Sequence, residues 1–104
     1  MIFKKRRTRR RTLYQSDRWN DPRYKEWRKQ VIKRDKRCCR FPGCSSRRRL
    51  QTHHIKMWEY YPSLRFMIGN GITLCRVCHE RIKGHEDSYI QTFMRIISES
   101  PNRH

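Results

Sequence analysis

Apolar residues along this chain fall into short runs with distinct spacings, and these runs predict its helices and strands. Residues 22–35 are predicted to form a helix with one face on a small core, because their apolar positions recur every three or four residues. That stripe consists of Tyr24, Trp27 and Val31, with Arg34 on the same line. Asp21 is placed to cap this helix, and Pro22 suits its first turn.

The remainder of the pattern is broken into smaller pieces. LQTHHI and ITL predict two short strands, separated by the irregular, aromatic-rich loop MWEYYPSLRFMIGNG. CRVCHERIK predicts the start of a helix, and residues 88–98 predict an amphipathic C-terminal helix that stops before Pro101. The apolar face of this last helix consists of Ile90, Phe93, Met94 and Ile97. A small α+β domain with flanking helices is therefore expected, without internal repeats.

Composition indicates that this domain has little hydrophobic core. The chain has 104 residues, of which 35% are hydrophobic, and domains of this kind often need a metal ion or disulfides to fold. Its five cysteines are an odd number, and the basic start is not followed by the apolar run of a secretory signal. We therefore expect a reducing, cytoplasmic location, no membrane span, and thiolates that bind metal rather than disulfides.

The charge of the chain points to a polyanionic partner. Lys and Arg total 27 against 9 Asp and Glu, for a formal net charge of +18, which favours nucleic acid. Residues 1–16 are predicted to be a flexible basic arm, and residues 17–104 a single domain. A membrane surface is a weaker alternative, because the arm lacks an apolar helical face. Candidate phosphate contacts, each of which could equally be a solvated cation, are Arg47, Arg48, Arg49 and Lys56.

Four of the cysteines have the spacing of a structural zinc site. Cys39 and Cys44 form one pair and Cys75 and Cys78 a second, and two such knuckles, 39–44 and 75–78, can supply four thiolates to one Zn²⁺. Cys38 is an alternative to Cys39 as ligand, although the spacing favours Cys39. With four protein ligands the zinc would stabilise the fold and would have no open position for a substrate.

A haem site is the competing interpretation of part of this pattern. Residues 75–79 read CRVCH, which fits the CxxCH attachment sequence of c-type haem. Haem attachment would require export, and it would leave Cys39 and Cys44 without a role. Zinc is therefore the preferred interpretation.

The histidines complete a more specific pattern. In order, the chain carries Trp27, Arg34-Asp35, the first cysteine pair, His53-His54-Ile55, Asn70-Gly71-Ile72-Thr73-Leu74, the second cysteine pair and His79. From about residue 20 to residue 83 this order resembles the HNH endonuclease family, and particularly its small stand-alone bacteriophage members. Some of those enzymes act with the DNA-packaging terminase.

The resemblance implies a ββα-metal (His-Me finger) core at about residues 50–83 and a role for each motif residue. His54 corresponds to the general base, His53 and His79 to ligands of a catalytic metal, and Asn70 to the residue that holds the base-bearing loop. Some members carry a further histidine where this chain has Lys83. His85 falls outside the pattern.

The resemblance also implies the cofactors and partners. These are a catalytic divalent ion (Mg²⁺ or Mn²⁺ in the cell, with Ni²⁺, Co²⁺ or Zn²⁺ possible in vitro), double-stranded DNA and, for a phage-encoded enzyme in its bacterial host, the terminase large subunit. Successive side chains of a strand point to opposite sides, so His53 and His54 could divide metal binding and water activation.

The predicted function is thus a metal-dependent DNA endonuclease that nicks or cuts duplex DNA. The alternative is a non-catalytic zinc-ribbon module that binds nucleic acid. Sequence specificity, the number of strands cut and the oligomeric state are left open by the sequence.

Overall fold

Within residues 18–99, three helices and a two-stranded sheet form the fold, and residues 18–20 are also helical. The computed structural model describes residues 18–99, so the predicted arm at residues 1–16 lies outside the described range. The helices are α1 (Pro22–Arg34), α2 (Arg76–Ile82) and α3 (Ile90–Ser98), and the strands are β1 (Leu50–His54) and β2 (Gly71–Cys75). Single 3-10 turns occur at Pro62–Leu64, Ile68–Asn70 and Glu86–Tyr89. The expected small α+β architecture is confirmed. Within residues 18–99, no helix has the length and apolar content needed to cross a membrane.

The start of α1 follows from local sequence. Asp21 caps the helix, because its Oδ1 accepts a hydrogen bond of 2.8 Å from the backbone N–H of Arg23, and Pro22 occupies the first turn, where it loses no hydrogen bond. Asp35 follows the last helical residue, and Lys36 and Arg37 then adopt positive φ angles of 56° each, which turns the chain away from the helix axis.

The two strands pair antiparallel, and their register sets the two histidines on opposite faces. His53 lies opposite Ile72, and His54 lies opposite Gly71. Gly71 allows α1 to approach the sheet closely, because a Cβ at this position would lie 2.6 Å from the ring of Trp27 and 2.7 Å from Val31. The face of the sheet that carries His54 is therefore covered directly by α1.

Each face of the sheet has its own hydrophobic cluster. The larger cluster is centred on Ile72, Leu74, Ile82 and Phe93, with the buried cysteines at its edge. The smaller cluster consists of Tyr24, Trp27 and Val31 from α1, with Trp58 and Phe66 from the loop packed against it. Because Ile72 and Gly71 are neighbours on β2, the two clusters lie on opposite sides of the same two strands.

A buried carboxylate joins α1 to both the sheet and α3. Asp35 has no exposed side-chain surface, and its two oxygens accept hydrogen bonds from Arg34, Arg40 and the backbone N–H of Thr73 at 2.6–2.9 Å. Arg34 also donates to the carbonyl oxygens of Ile68 and Gly71, and Arg40 donates to that of Ile96. One carboxylate thus compensates two largely buried guanidinium groups, which in turn bind the backbone at three places.

Replacing Asp35 with asparagine is expected to destabilise the protein by about 3–5 kcal/mol, because it leaves two buried cations without a counter-charge. Each Asp35 oxygen accepts from two donors, so an amide nitrogen at either position would also face N–H groups. Asp21→Asn is the matched control, because Asp21 pairs with the exposed Arg23 and asparagine is itself a good helix cap. The stability of both zinc-loaded variants is measured by urea unfolding. Equal unfolding midpoints for Asp35→Asn and Asp21→Asn would contradict the role given to Asp35.

Candidate functional site

Four cysteine side chains converge on one point at the edge of the larger hydrophobic cluster. The Sγ atoms of Cys39, Cys44, Cys75 and Cys78 all lie within 4.8 Å of one another. The first two come from the turn before β1, where the Phe41 N–H points at Cys39 Sγ at 3.5 Å and Gly43 takes a positive φ of 83°. Cys75 ends β2, and Cys78 lies in the first turn of α2.

This arrangement fits a tetrahedral zinc ion. With Zn–S bonds of about 2.3 Å, the sulfurs of a tetrahedral site lie about 3.8 Å apart, and Cys44 Sγ and Cys75 Sγ are 3.9 Å apart. Burial and the neighbouring sulfurs raise the pKa of Cys78, whereas a backbone hydrogen bond from Cys78 lowers the pKa of Cys75 to about 7. Sulfurs this close oppose one another's ionisation, and a divalent cation removes that opposition. The cluster can therefore hold a metal such as zinc.

Cys38, the fifth cysteine, does not join this cluster. Its Sγ lies 3.4 Å from the backbone oxygen of Lys36, and the four mutually close sulfurs include Cys39 instead. Of the two alternative ligands, Cys38 and Cys39, only Cys39 faces the other three sulfurs, because the turn after α1 directs these consecutive residues to different sides.

His53 and His79 form a second group of potential ligands on the side of the sheet that faces α3. Their ring centroids are 5.4 Å apart, and Phe93 lies 5.8 Å from the His53 ring. Two imidazoles on one ion have centroids about 5 Å apart, so the two rings are suitably spaced. The buried Nε2 of His53 has no hydrogen-bond partner among the described residues. An unpaired buried nitrogen beside a second imidazole fits a metal ligand.

Electrostatics keep both of these rings neutral, as metal binding requires. Burial, together with the nearby His79 and His54, lowers the pKa of His53 to about 4. Burial and the charge of Lys83 lower the pKa of His79. Lys83 itself is exposed and lies 3.5 Å from Glu80, so this position offers the pair no third nitrogen ligand.

His54 lies on the opposite face of β1, in an aromatic setting. Its ring stacks on Trp27 with centroids 4.0 Å apart and an interplanar angle of 15°, and Trp58 meets it edge-on at 5.4 Å. His54 Nε2 is 2.9 Å from the carbonyl oxygen of Arg65. Because a carbonyl only accepts, Nε2 must carry the proton, and Nδ1 is left as the basic nitrogen of the neutral ring.

The pH dependence of any reaction that uses His54 as a base should reflect its environment. Burial, reinforced by the charges of Arg18 and Arg65, lowers the pKa of His54 to about 4. The base therefore stays unprotonated as pH falls from 7.5 to 6, whereas a histidine with a pKa of about 6.5 would lose roughly three quarters of its basic form. We expect kcat/KM at fixed metal concentration to show no such acid limb above pH 6. A fourfold fall would contradict this pKa.

Asn70 fixes the loop that leaves β1. Its side-chain oxygen accepts from the backbone N–H of Lys56 at 2.8 Å, and its amide nitrogen donates to the carbonyl oxygens of Lys56 and Leu64. The Asn70 carbonyl accepts from the N–H of Ile55. The buried Asn70 side chain thus ties Lys56 to Leu64 within the loop, and its backbone carbonyl holds Ile55, the residue that follows His54.

The predicted phosphate contacts separate into two places. Arg47, Arg48 and Arg49 are exposed and precede β1, and within residues 18–99 no carboxylate lies within ion-pair distance of them. A strand rises about 3.3 Å per residue, so Arg49 lies about 16 Å along the chain from His54. These arginines can contact a different phosphate from the one near the histidines. Lys56 lies close to His54, with its Nζ 5.6 Å from the ring of Tyr61.

Several residues that shape the site carried no assigned role from sequence. His54 bonds to the backbone carbonyl of Arg65. Because every residue has such a carbonyl, the side chain at position 65 gives no sign of this contact. Trp27 was expected on the core face of its helix, and only the register of Gly71 reveals that it covers His54. The Arg34-Asp35 pair was part of the order of residues that resembles the HNH family. The sequence signal for its structural role was the presence of two opposite charges at the end of a helix.

The comparison with known families covers the residues of this site. A family model described as HNH endonuclease matches residues 37–85. No curated protein and no solved structure matches the chain significantly. The matched range begins just after α1 and includes the four clustered cysteines, the three histidines of the site and Asn70. Residues 37–85 therefore match the HNH endonuclease family, as the order of motifs in the sequence predicted.

Proposed function

We propose that this protein is a metal-dependent DNA endonuclease with a ββα-metal core over residues 50–83. Proteins of the HNH family are nucleases that act on DNA, and the net charge of +18 suits such a substrate. The observation that carries the proposal is the division of the paired histidines. His53 lies beside His79 on one face of β1, and His54 is oriented by Arg65 on the other.

His54 is the general base in this proposal. The Arg65 carbonyl holds the Nε2 proton, so Nδ1 can accept a proton from the attacking water. Stacking on Trp27 fixes the plane of the ring, and the hydrogen bonds of Asn70 fix the backbone that follows it. Both restraints hold the base in one orientation before substrate binds.

His53 and His79 are the proposed ligands of the catalytic ion. Such an ion would stabilise charge on the phosphate and on the departing oxygen. With two imidazoles from the protein, the remaining positions are left for phosphate oxygens and water. Mg²⁺ or Mn²⁺ is the proposed ion in the cell, and imidazole ligands also suit Ni²⁺, Co²⁺ and Zn²⁺ in vitro.

The zinc site has a positional role in this scheme. Cys78 and His79 are consecutive residues of α2, so the ion held by the four cysteines would fix the helix that carries a catalytic ligand. The structural zinc and the exchangeable ion would thus occupy neighbouring but separate sites, with sulfur ligands in one and nitrogen ligands in the other.

A partnership with a phage terminase large subunit is a further part of the proposal, supported by the resemblance to small phage HNH enzymes alone. Co-purification of the two proteins, with and without DNA, would test it. Independent elution of the two proteins under both conditions would remove this part without affecting the nuclease proposal.

The direct test of the nuclease proposal is plasmid nicking with added metals. Supercoiled plasmid is incubated with zinc-loaded protein, first with EDTA and then with Mg²⁺, Mn²⁺ or Ni²⁺ added in excess, while the zinc content is measured. Conversion to nicked or linear plasmid only after metal addition is expected. Tight DNA binding without cleavage under all conditions would favour the alternative, a zinc-ribbon module that only binds nucleic acid.

A further inference from the structure

The large apolar side chains that remain exposed are concentrated around one loop. This loop, residues 57–68, connects the two strands and starts just beyond His54. Tyr60 is 74% exposed and Tyr61 44%. Of the seven large hydrophobic residues exposed within residues 18–99, five belong to this loop, one is beside it, and Val77 is elsewhere. The six are Trp19, Met57, Tyr60, Tyr61, Met67 and Ile68.

The loop is held in place at several points, so its aromatic tip is presented by an ordered backbone. Asn70 binds both ends of the segment 56–64, Trp27 donates from Nε1 to the Met67 carbonyl at 2.7 Å, and Arg65 donates to the Trp58 carbonyl at 2.8 Å. The N–H groups of Tyr60 and Tyr61 both bond to the Met57 carbonyl at 3.2 Å. Rings presented in this way lose little conformational entropy when a ligand stacks on them.

Cations are interleaved with these rings. Lys56 Nζ lies 5.6 Å from the centroid of Tyr61, and the guanidinium groups of Arg65 and Arg18 lie 4.4 Å and 4.9 Å from that of Trp58. Glu59 is the one acidic residue between Asp35 and Glu80. Aromatic rings among positive charges are typical of surfaces that bind single-stranded nucleic acid, where bases stack and phosphates are neutralised. An ordinary protein-binding patch would not need this excess of cations.

We propose that Tyr60 and Tyr61 form a stacking surface for unpaired bases beside the phosphate that His54 addresses. The preferred substrate would then be DNA with unstacked or unpaired bases at the cleavage site, such as a bulge, a flap or a single-stranded segment. Because every base has a π face, this surface would tolerate any sequence, which agrees with the absence of an evident base-reading element in the sequence. The inference rests on the proposed nuclease function for the identity of that phosphate.

Binding measurements test the surface separately from catalysis. In a His54→Ala background, in which cleavage is expected to be slow, fluorescence anisotropy at one fixed salt concentration and without added divalent metal compares a fully paired duplex with the same duplex carrying a short unpaired bulge. We expect the bulged probe to bind about tenfold more tightly, and Tyr60→Ala/Tyr61→Ala to remove that preference while leaving binding to the paired duplex within about twofold. Tyr60→Phe/Tyr61→Phe keeps both rings and should behave like the parent.

The outcomes separate the two proposals. Equal affinity of the parent for both probes, or a preference that survives the alanine pair, would overturn the stacking surface and leave these side chains available to a protein partner. Preferential binding of the bulged probe, combined with failure of the wild-type protein to cut any DNA with Mg²⁺, Mn²⁺ or Ni²⁺, would overturn the nuclease proposal instead. Loss of binding to both probes in the alanine pair, with binding retained in the phenylalanine pair, would show that the rings support the fold rather than select unpaired bases, and would also overturn the stacking role.

Discussion

Replacing His54 with alanine is expected to lower the rate of plasmid nicking by about 10²- to 10⁴-fold, the usual contribution of a positioned general base. The variant should remain folded, because the lost stacking contact with Trp27 is worth only about 0.5–1.5 kcal/mol. DNA affinity should also persist, since it depends mainly on the cationic surface. Single-turnover rates at saturating metal measure the effect without contributions from product release.

Two further variants make this result specific. His54→Gln keeps an N–H that can bond to the Arg65 carbonyl and should retain the local geometry, but its amide cannot accept a proton as a base. His85→Ala removes an exposed histidine outside the site and should cut at the wild-type rate. Wild-type cleavage by both His54 variants would mean that another group activates the water.

Replacing Cys78 with serine is expected to unfold the protein at ambient temperature. Apparent binding free energies of structural zinc sites are about 10–16 kcal/mol, which is as large as or larger than the net stability of most small domains, about 5–15 kcal/mol. Cys78 is buried and lies beside three other sulfurs, so a serine hydroxyl would weaken the metal site and place an unsatisfied polar group in the core. Circular dichroism and zinc content are the measurements.

Cys38→Ser is the matched control for this variant, because Cys38 belongs to the same knuckle sequence but its sulfur lies outside the cluster. It should retain one zinc ion per chain and the wild-type melting temperature. If Cys38→Ser unfolded the protein while Cys78→Ser did not, the ligand set would be wrong. Unchanged folding of the wild type after complete zinc removal would contradict the structural role of the metal.

Much of this architecture was predictable because short-range rules govern it. The helical spacing of Tyr24, Trp27 and Val31 depends on neighbouring residues alone, and all three are buried on α1. The two cysteine pairs are each close in sequence, so their convergence followed from the number of ligands that a tetrahedral ion requires. The HNH resemblance, which the family match confirms, depended on the order of such local motifs.

The parts that escaped prediction depend on contacts between distant segments. Asp35 accepts hydrogen bonds from Arg40 and Thr73 because of the angle at which α1 meets the sheet. Gly71 sets the distance between α1 and the sheet, but this role is apparent only once the strand register is known. The aromatic loop was expected to be irregular; the resemblance implied that Asn70 holds it, but the bond from Trp27 to the Met67 carbonyl was not expected. Hydrogen bonds to backbone carbonyls carry no sequence signature, so the Arg65 contact of His54 was invisible beforehand. The catalytic and ligand roles of the site residues remain predictions.

The central claim is that neighbouring histidines perform different tasks, and the metal dependence of cleavage tests it most directly. Single-turnover nicking is measured as a function of Mn²⁺ concentration for wild type, His53→Ala and His54→Ala, with His53→Asp as a control that restores a ligand. We predict that His53→Ala shifts the midpoint to at least about tenfold higher Mn²⁺, as loss of a ligand should, and that His53→Asp restores it. His54→Ala should leave the midpoint unchanged and lower the plateau. A shifted midpoint in both alanine variants, or in neither, would contradict the division of labour.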